Sequence, residues 1–259
     1  MDRAVDLLLA LAAAAPAETT APALARACGL NRATAWRLLK TLQLRGLVAL
    51  DDATGRYLIG LTALELGNAA GPDALIATAH PVLERTCAQT GETASLAVPG
   101  MDGLTYVDEV TPAAVVTASW LGRSVPLHAT STGKALLAFL PPERARRVLS
   151  AALAGFTATT ITDRAALGAE LAATRARGYG VCAGELEASL YGVSAPVLDR
   201  AGRPLAVLSI WGPRDRIPAD RFTELGAIVV RAAALVAAAT VPPTGGGRRQ
   251  RWLEPAAGG

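Results

Sequence analysis

The sequence predicts an α+β protein in two parts, and three observations carry that expectation. Over residues 1–46 apolar residues recur at helical spacing in three successive stretches. Residues 46–60, GLVALDDATGRYLIG, place two short apolar runs on either side of an Asp-Asp-Ala-Thr-Gly turn, the pattern of a hairpin. From Gly91 onward the pattern changes to short strand-like runs separated by Gly and Pro, with amphipathic helices among them.

A first helix over residues 2–14 carries Val5, Leu8, Leu9 and Ala12 as its stripe and ends at Pro16. Thr20 can N-cap a second helix with Leu24, Ala25 and Cys28 on one face and Gly29 at a left-handed end. Asn31 can cap a third helix, residues 32–45, in which Ala35, Leu38, Leu39 and Leu42 recur at i, i+3, i+4, i+7. Arg32, Thr34, Trp36, Arg37 and Lys40 fall largely off that stripe. A short helix, a turn containing Gly and a second helix with a polar, basic first half is the helix-turn-helix arrangement. Its second helix fits the major groove of DNA, where side chains near its start reach base edges and basic groups meet phosphates. Asn31, Arg32, Thr34, Ala35, Trp36, Arg37 and Lys40 are therefore the expected groove and phosphate contacts. The hairpin makes the unit winged, with Arg56 placed either for backbone phosphate or as a solvated turn residue. For Trp36, contact with thymine methyls or sugar and packing against the wing fit the sequence equally.

Residues 61–70, LTALELGNAA, read as a short helix broken at Gly67 and stopped by Gly71-Pro72, a connector between domains. A longer helix covers residues 73–90, with Asp73 as N-cap and Pro81 as a kink or break. Strands are expected at 93–98, 104–110 and 115–119. A helix over 133–140 ends at Pro141-Pro142, and amphipathic helices cover 143–154 and 164–177. Strands at 180–185, 193–198 and 205–210 follow, the last two joined by an Asp199-Arg200-Ala201-Gly202 turn, and a helix over 220–239 closes the fold. Hairpin connections favour a mainly antiparallel sheet over a doubly wound one. The expected division is a DNA-binding domain at 1–60, a helical linker at 61–72, a ligand domain at 73–240 and a disordered Pro/Gly-rich tail at 241–259.

Composition sets bounds on this reading. Of 259 residues 51% are hydrophobic, with Ala the commonest of them, and only 4% are aromatic, which favours close-packed helices and small-residue strands. Residues 1–60 hold seven basic side chains against five acidic ones, so arrangement rather than net charge points to DNA. The three cysteines, Cys28, Cys87 and Cys182, lie far apart and argue against a disulfide framework or a metal site. The apolar opening lacks a positive n-region because of Asp2 and Asp6, and no other segment reads as an uninterrupted membrane span. A cytoplasmic protein without cofactor, metal or membrane partner is expected.

The chain resembles the IclR family of bacterial transcriptional regulators over nearly its whole length. The matching stretches are DRAVDLLLAL, TAWRLLKTLQLRGLV, TGRYLIG, GETASLAV, PLHATSTGKALLAFL, RARGYGVCAGELE, VSAPVLDRAGRPLAVLSI and WGP. The resemblance implies a winged DNA-binding domain joined by a helix to a GAF-like effector-binding domain. It also implies a homodimer or homotetramer on a roughly palindromic operator, repressing or activating in response to a small organic acid. Pocket positions carried over by motif are Ser131, Thr132, Cys182, Gly192, Ser209 and Trp211. Cys182 stands where an Asp is common, Gly192 where a Cys is common and Trp211 where a small hydroxyl residue is common among members that bind small α-keto acids. The expected effector is accordingly a less polar or aromatic acid, unless Trp211 merely fills the pocket or sits at its rim. Backbone N–H groups near Ser131 and Thr132 precede a helix and suit an anion on physical grounds. Ligand alters DNA affinity only through its differential affinity for two domain arrangements, which makes residues 61–70 the expected lever.

A competing enzyme reading rests on Ser131-Thr132-Gly133-Lys134, which matches the Ser-x-x-Lys nucleophile motif of certain hydrolases. The accompanying Ser-Asp-Asn and Lys-Thr-Gly words are absent, and a phosphate-loop pattern fails for want of its first Gly. His128 is expected to order the loop before the helix by hydrogen bonding. Lys134 is expected either to pair with an acidic neighbour or to attract an anion, and Cys182 to be a small buried residue rather than a redox sensor.

Overall fold

Apolar side chains spaced by three and four along the first helices have one way to leave water, which is to meet on a common axis. In the computed structural model, which describes residues 1–70, 72–100, 103–113, 119–149 and 152–240, they do so. Helix α1 (Asp2–Ala13) contributes Leu7 and Leu11, α2 (Ala21–Ala27) Leu24, and α3 (Arg32–Leu44) Leu39 and Leu42 to one core. Strands β1 (Val48–Asp51) and β2 (Arg56–Ile59) close it with Val48 and Tyr57. Asn31 caps α3 as its side chain accepts from the Thr34 N–H at 2.8 Å. Thr20 occupies the N-cap of α2 but makes no side-chain capping bond; its backbone bridges Arg56, and Tyr57 N–H donates to Thr19 O, so the hairpin is pinned to the start of α2.

The next two helices correct the sequence reading. Helix α4 (Leu61–Ala70) runs through Gly67 without a break, since an interior Gly costs only about 1 kcal/mol relative to Ala. Helix α5 (Asp73–Thr90) is capped by Pro72, with Asp73 in its first turn, and it continues through Pro81. A proline there costs about 3 kcal/mol, but Val82 and Leu83 beside it are each buried at about 1.5–3 kcal/mol, which outweighs the loss.

A five-stranded sheet forms the second part: β3 (Thr93–Pro99), β4 (Leu104–Val110), β5 (Gly180–Ala183), β6 (Leu190–Leu198) and β7 (Pro204–Pro213). The strand order is β4-β3-β7-β6-β5 and every neighbouring pair is antiparallel. Alternation along the strands sorts their side chains to two faces. Leu96, Val193, Ala195, Leu208 and Ile210 pack beneath α5 and the closing helix α9 (Phe222–Thr240). Ala97, Leu104, Tyr106 and Val207 face the other way, against α6 (Ser131–Phe139), which α8 (Arg164–Arg177) backs. A bulge between Leu96 and Ala97 adjusts the register of β3 against β4. Helix α6 lies directly on β5: a Cβ at Gly180 would sit 2.4 Å from the Ser131 carbonyl oxygen, so only glycine permits this approach.

Several boundaries move. Helix α6 starts two residues earlier than read, at Ser131; β6 begins at Leu190 and β7 extends to Pro213, because these segments are buried on both faces and lack a polar alternation to mark their ends. Helix α7 (Pro142–Val148) is shorter than expected, and Ala154 is not helical; its carbonyl instead accepts from His128 Nε2 at 2.8 Å. Of the strand expected at 115–119 only Ser119 is described, outside any strand, and the tail expected at 241–259 lies outside the described residues. Within Ala219–Thr240 an 18-residue window has a mean hydropathy of 1.7, enough in length and composition to cross a membrane, although Glu224 and Arg231 interrupt it. Its Leu225, Ile228, Val229, Ala232 and Val236 are packed against the sheet.

Candidate functional site

Two regions collect the expected site residues. On α3 the stripe of Ala35, Leu39 and Leu42 faces the domain core, and this turns the rest of the helix outward. Arg32, Trp36, Arg37 and Lys40 are exposed, Thr34 is half-buried, and Asn31 at the cap is exposed. With one lone pair of its carbonyl oxygen taken by Thr34 N–H, Asn31 keeps both amide donors for a partner. Ala35 is 0% exposed, so the expectation that it contacts DNA is wrong; a residue on the apolar stripe cannot serve the opposite face. Trp36 is 58% exposed, and the cleft it lines is walled by residues of α2 and α3. Arg56 is exposed at the start of β2, opposite Asp51.

The second region lies between α6 and the sheet. Thr130 ends a 3-10 turn at Leu127–Ala129 and caps α6, its hydroxyl accepting from Gly133 N–H at 3.0 Å. No described residue accepts from the Ser131 or Thr132 N–H, so both donors at the start of α6 are free to meet a ligand. Next to them a cavity with about 370 Å³ of free space, its mouth included, is lined by Tyr106, Trp120, Val125, Thr130, Ser131, Thr132, Cys182, Leu186, Leu190, Tyr191, Gly192 and Trp211. Five of the six expected pocket residues thus line it. Ser209 stands one layer behind, in contact with Thr132.

Hydroxyl groups form the floor. Thr132 Oγ1 lies 2.8 Å from Tyr106 Oη, 2.9 Å from Ser209 Oγ and 3.3 Å from Ser194 Oγ. Ser194 Oγ in turn lies 2.9 Å from Ser209 Oγ and 2.8 Å from Ser131 Oγ, so Thr132, Ser194 and Ser209 close a ring. Burial pushes the Tyr106 phenol up to about 12, and it stays neutral at physiological pH. Burial, and then the nearby Glu185 carboxylate, raises the Cys182 thiol, whose Sγ lies 3.5 Å from Ala129 O; this is a small buried residue rather than a thiolate.

Trp211 and Gly192 are cross-strand partners. A Cβ at position 192 would lie 2.9 Å from Trp211 Cβ and 2.7 Å from Ile210 O, so the indole has its place because glycine faces it. The Trp211 indole N–H donates to Ser95 Oγ at 3.2 Å, which fixes the ring across the sheet and leaves its faces for the cavity. Trp120 stands at the mouth, with the Arg123 guanidinium 5.7 Å from its ring centroid.

Lys134 does not reach the cavity. It is 1% exposed, and its ammonium donates to both oxygens of Glu185 at 2.6 and 2.8 Å, with Glu170 at 3.9 Å. Ser131 Oγ meets Ser194, so the hydroxyl–ammonium contact that a Ser-x-x-Lys hydrolase needs is not formed. His128 orders the loop as expected, bonded to Ala154 O and packed against Phe156 with ring centroids 5.8 Å apart. Tyr106, Trp120, Leu186, Leu190, Tyr191 and Ser194 escaped the sequence reading. The period of two on β6 and β4 could have found Ser194 from Gly192 and Tyr106 from Leu104; Trp120 carried no such signal.

Comparisons with known proteins agree with both regions. Residues 1–52 match the IclR helix-turn-helix domain, and residues 69–238 match the bacterial transcriptional regulator IclR C-terminal domain. The chain is 34% identical over 215 residues to the transcriptional repressor IclR of Escherichia coli K12, covering 81% of this chain and 78% of that protein. It is similar to the crystal structure of the Thermotoga maritima IclR, with a TM-score of 0.60, 26% identity and coverage of 91% and 96% of the two chains. An IclR homolog from Microbacterium hydrocarbonoxydans, complexed with 4-hydroxybenzoate, gives a TM-score of 0.59 at 26% identity, with 91% and 96% of the chains covered.

Proposed function

The chain belongs to the IclR family of DNA-binding transcriptional regulators, which are not enzymes, and on that premise we propose that it answers to an aromatic organic acid bound between α6 and the sheet. The observation that carries this reading is the make-up of the cavity: four aromatic rings, Tyr106, Trp120, Tyr191 and Trp211, and no carboxylate or ammonium among its described lining. A small keto acid would leave most of that apolar wall in water. An aromatic ring covers it, while its carboxylate takes the unpaired N–H groups of Ser131 and Thr132, where the helix dipole favours negative charge. That the Microbacterium homolog is complexed with 4-hydroxybenzoate supports the same class. Ser131, Thr132, Cys182, Gly192 and Trp211 then contact the effector, and Ser209 holds the floor beneath Thr132.

At the other end, Asn31, Arg32, Thr34, Trp36, Arg37 and Lys40 of α3 meet the operator, and Arg56 meets phosphate from the wing. Residues 1–60 act as the DNA-binding unit, 61–72 as the linker and 73–240 as the effector unit of a cytoplasmic homodimer or homotetramer. A two-fold dimer sets half-sites one turn of duplex apart, about 34–36 Å, or a multiple of it. Fluorescence anisotropy on the DNA upstream of the protein's own gene, with benzoates and with two- and three-carbon keto acids, tests the reading. A shift in affinity with a benzoate but not with the keto acids is expected; a response confined to the keto acids overturns the aromatic assignment.

A further inference from the structure

A half-exposed tryptophan on a small domain needs a reason, since an indole carries more apolar surface than any other side chain. Trp36 follows Ala35 on α3, so it stands about 100° from the buried stripe, and 58% of it is open to solvent. No described residue pairs with its indole N–H. It is not isolated: with Ala33 one turn earlier and Ala21 and Pro22 at the start of α2, it walls an open apolar cleft flanked by Arg32 and Arg37. Lys40, one turn further along α3, is exposed too. An apolar notch bordered by cations, on the helix that enters the groove, suits a partner that is anionic at its edges and apolar at one point.

DNA offers that combination in one place. Phosphates line the groove on both sides, and within the major groove the C5 methyl of thymine is the one apolar group presented by a base. We propose that Trp36, with Ala33 and the Ala21–Pro22 turn, reads a thymine methyl in each operator half-site, while Arg32 and Arg37 bind the flanking phosphates or base edges. The inference rests on α3 being the DNA-reading helix. Stacking of the indole on deoxyribose would use the same exposure but carry no sequence information, and the two are separable by removing one methyl group.

The test uses the full-length protein and a consensus duplex selected from a randomised pool. Each thymine of the consensus is replaced singly by deoxyuridine, which removes the methyl and leaves pairing intact. One position per half-site should lose affinity about fourfold, the worth of one buried methyl group. Trp36→Ala should bind that duplex more weakly and no longer distinguish thymine from deoxyuridine there; because the side chain is exposed, the variant keeps the fold, which circular dichroism checks. If binding depends on Arg32 and Lys40 but no deoxyuridine position matters, or the discrimination survives in Trp36→Ala, the methyl assignment is wrong although α3 still reads DNA. If Arg32→Ala and Lys40→Ala leave binding unchanged, α3 is not the reading helix and the inference falls with that premise.

Discussion

Replacing Lys134 by methionine isolates the buried charge behind the cavity. The wild-type ammonium is 1% exposed and bonded twice to Glu185, whose side chain is 8% exposed. Methionine fills nearly the same volume, so the change removes charge without leaving a hole. Glu170 already holds Arg177 at 2.6 Å and offers Glu185 only like charge. Glu185 is thus left without its cation, and loss of one partner of a buried pair costs about 3–5 kcal/mol. Glu185→Leu alone strands the lysine, with Glu170 at 3.9 Å as partial relief, and should cost somewhat less. The double variant Lys134→Met/Glu185→Leu removes both charges and should recover most of the loss, so the two single losses together should exceed the double by about 4 kcal/mol or more. Urea unfolding of the four proteins, followed by the fluorescence of Trp120 and Trp211, measures each corner of the cycle. Additive single effects, or a Lys134→Met loss under about 1 kcal/mol, would refute the claim that this pair is dry and mutually dependent.

Other expectations follow from the same geometry. The hydrogen bond that His80 Nδ1 donates to the Asp108 carboxylate at 2.9 Å, and then the Asp108 charge, raise the pKa of His80 above the ordinary 6.5. The folded value exceeds the unfolded one, so this contribution is complete below 6.5 and fades as the pH rises through the folded pKa. An NMR titration should show the His80 midpoint fall in Asp108→Asn, and an unmoved midpoint contradicts the assignment. Trp211→Ser removes one ring of the cavity and should weaken benzoate binding about tenfold by calorimetry while sparing small keto acids, since an aromatic contact contributes about 0.5–1.5 kcal/mol beyond its area. Gly192→Ala pushes a methyl against Ile210 O and Trp211 Cβ and should cost about 1–3 kcal/mol in thermal melts; a neutral substitution would show that the pair yields easily. Asn31→Ala removes the cap of α3 and should cost about 1 kcal/mol of stability.

The legible parts of the chain were those where one local rule decides the outcome. Asn31, the Leu39–Leu42 stripe, the hairpin turn and α8 follow from capping, period and turn chemistry alone. Gly67 does not break α4 and Pro81 does not end α5, because an interior Gly costs too little to break a helix and burial of the turns beside Pro81 offsets its cost. Ala35 was assigned to DNA although its own periodicity places it inward, an error of weighting rather than of signal. The cavity was legible at the start of α6, where an unpaired helix end announces itself. The partner of Lys134 was not, because Glu185 comes from a loop 51 positions away and no spacing rule links the two.

The hydroxyl ring beneath the cavity has its own consequence for what the protein can accommodate. Thr132, Ser194 and Ser209 each carry one mobile proton and two lone pairs; Ser194 donates to Ser209, while the Thr132 contacts to Tyr106, Ser194 and Ser209 can each run in either direction without moving a heavy atom. Turning the Thr132 proton out of the ring makes Thr132 a donor toward Tyr106 at the expense of one ring contact, and leaves the Tyr106 proton for whatever that side meets. The floor is therefore amphoteric. It meets a phenol, an ether or a carbonyl by rotating protons instead of repositioning side chains, with one ring hydrogen bond given up when Thr132 donates outward.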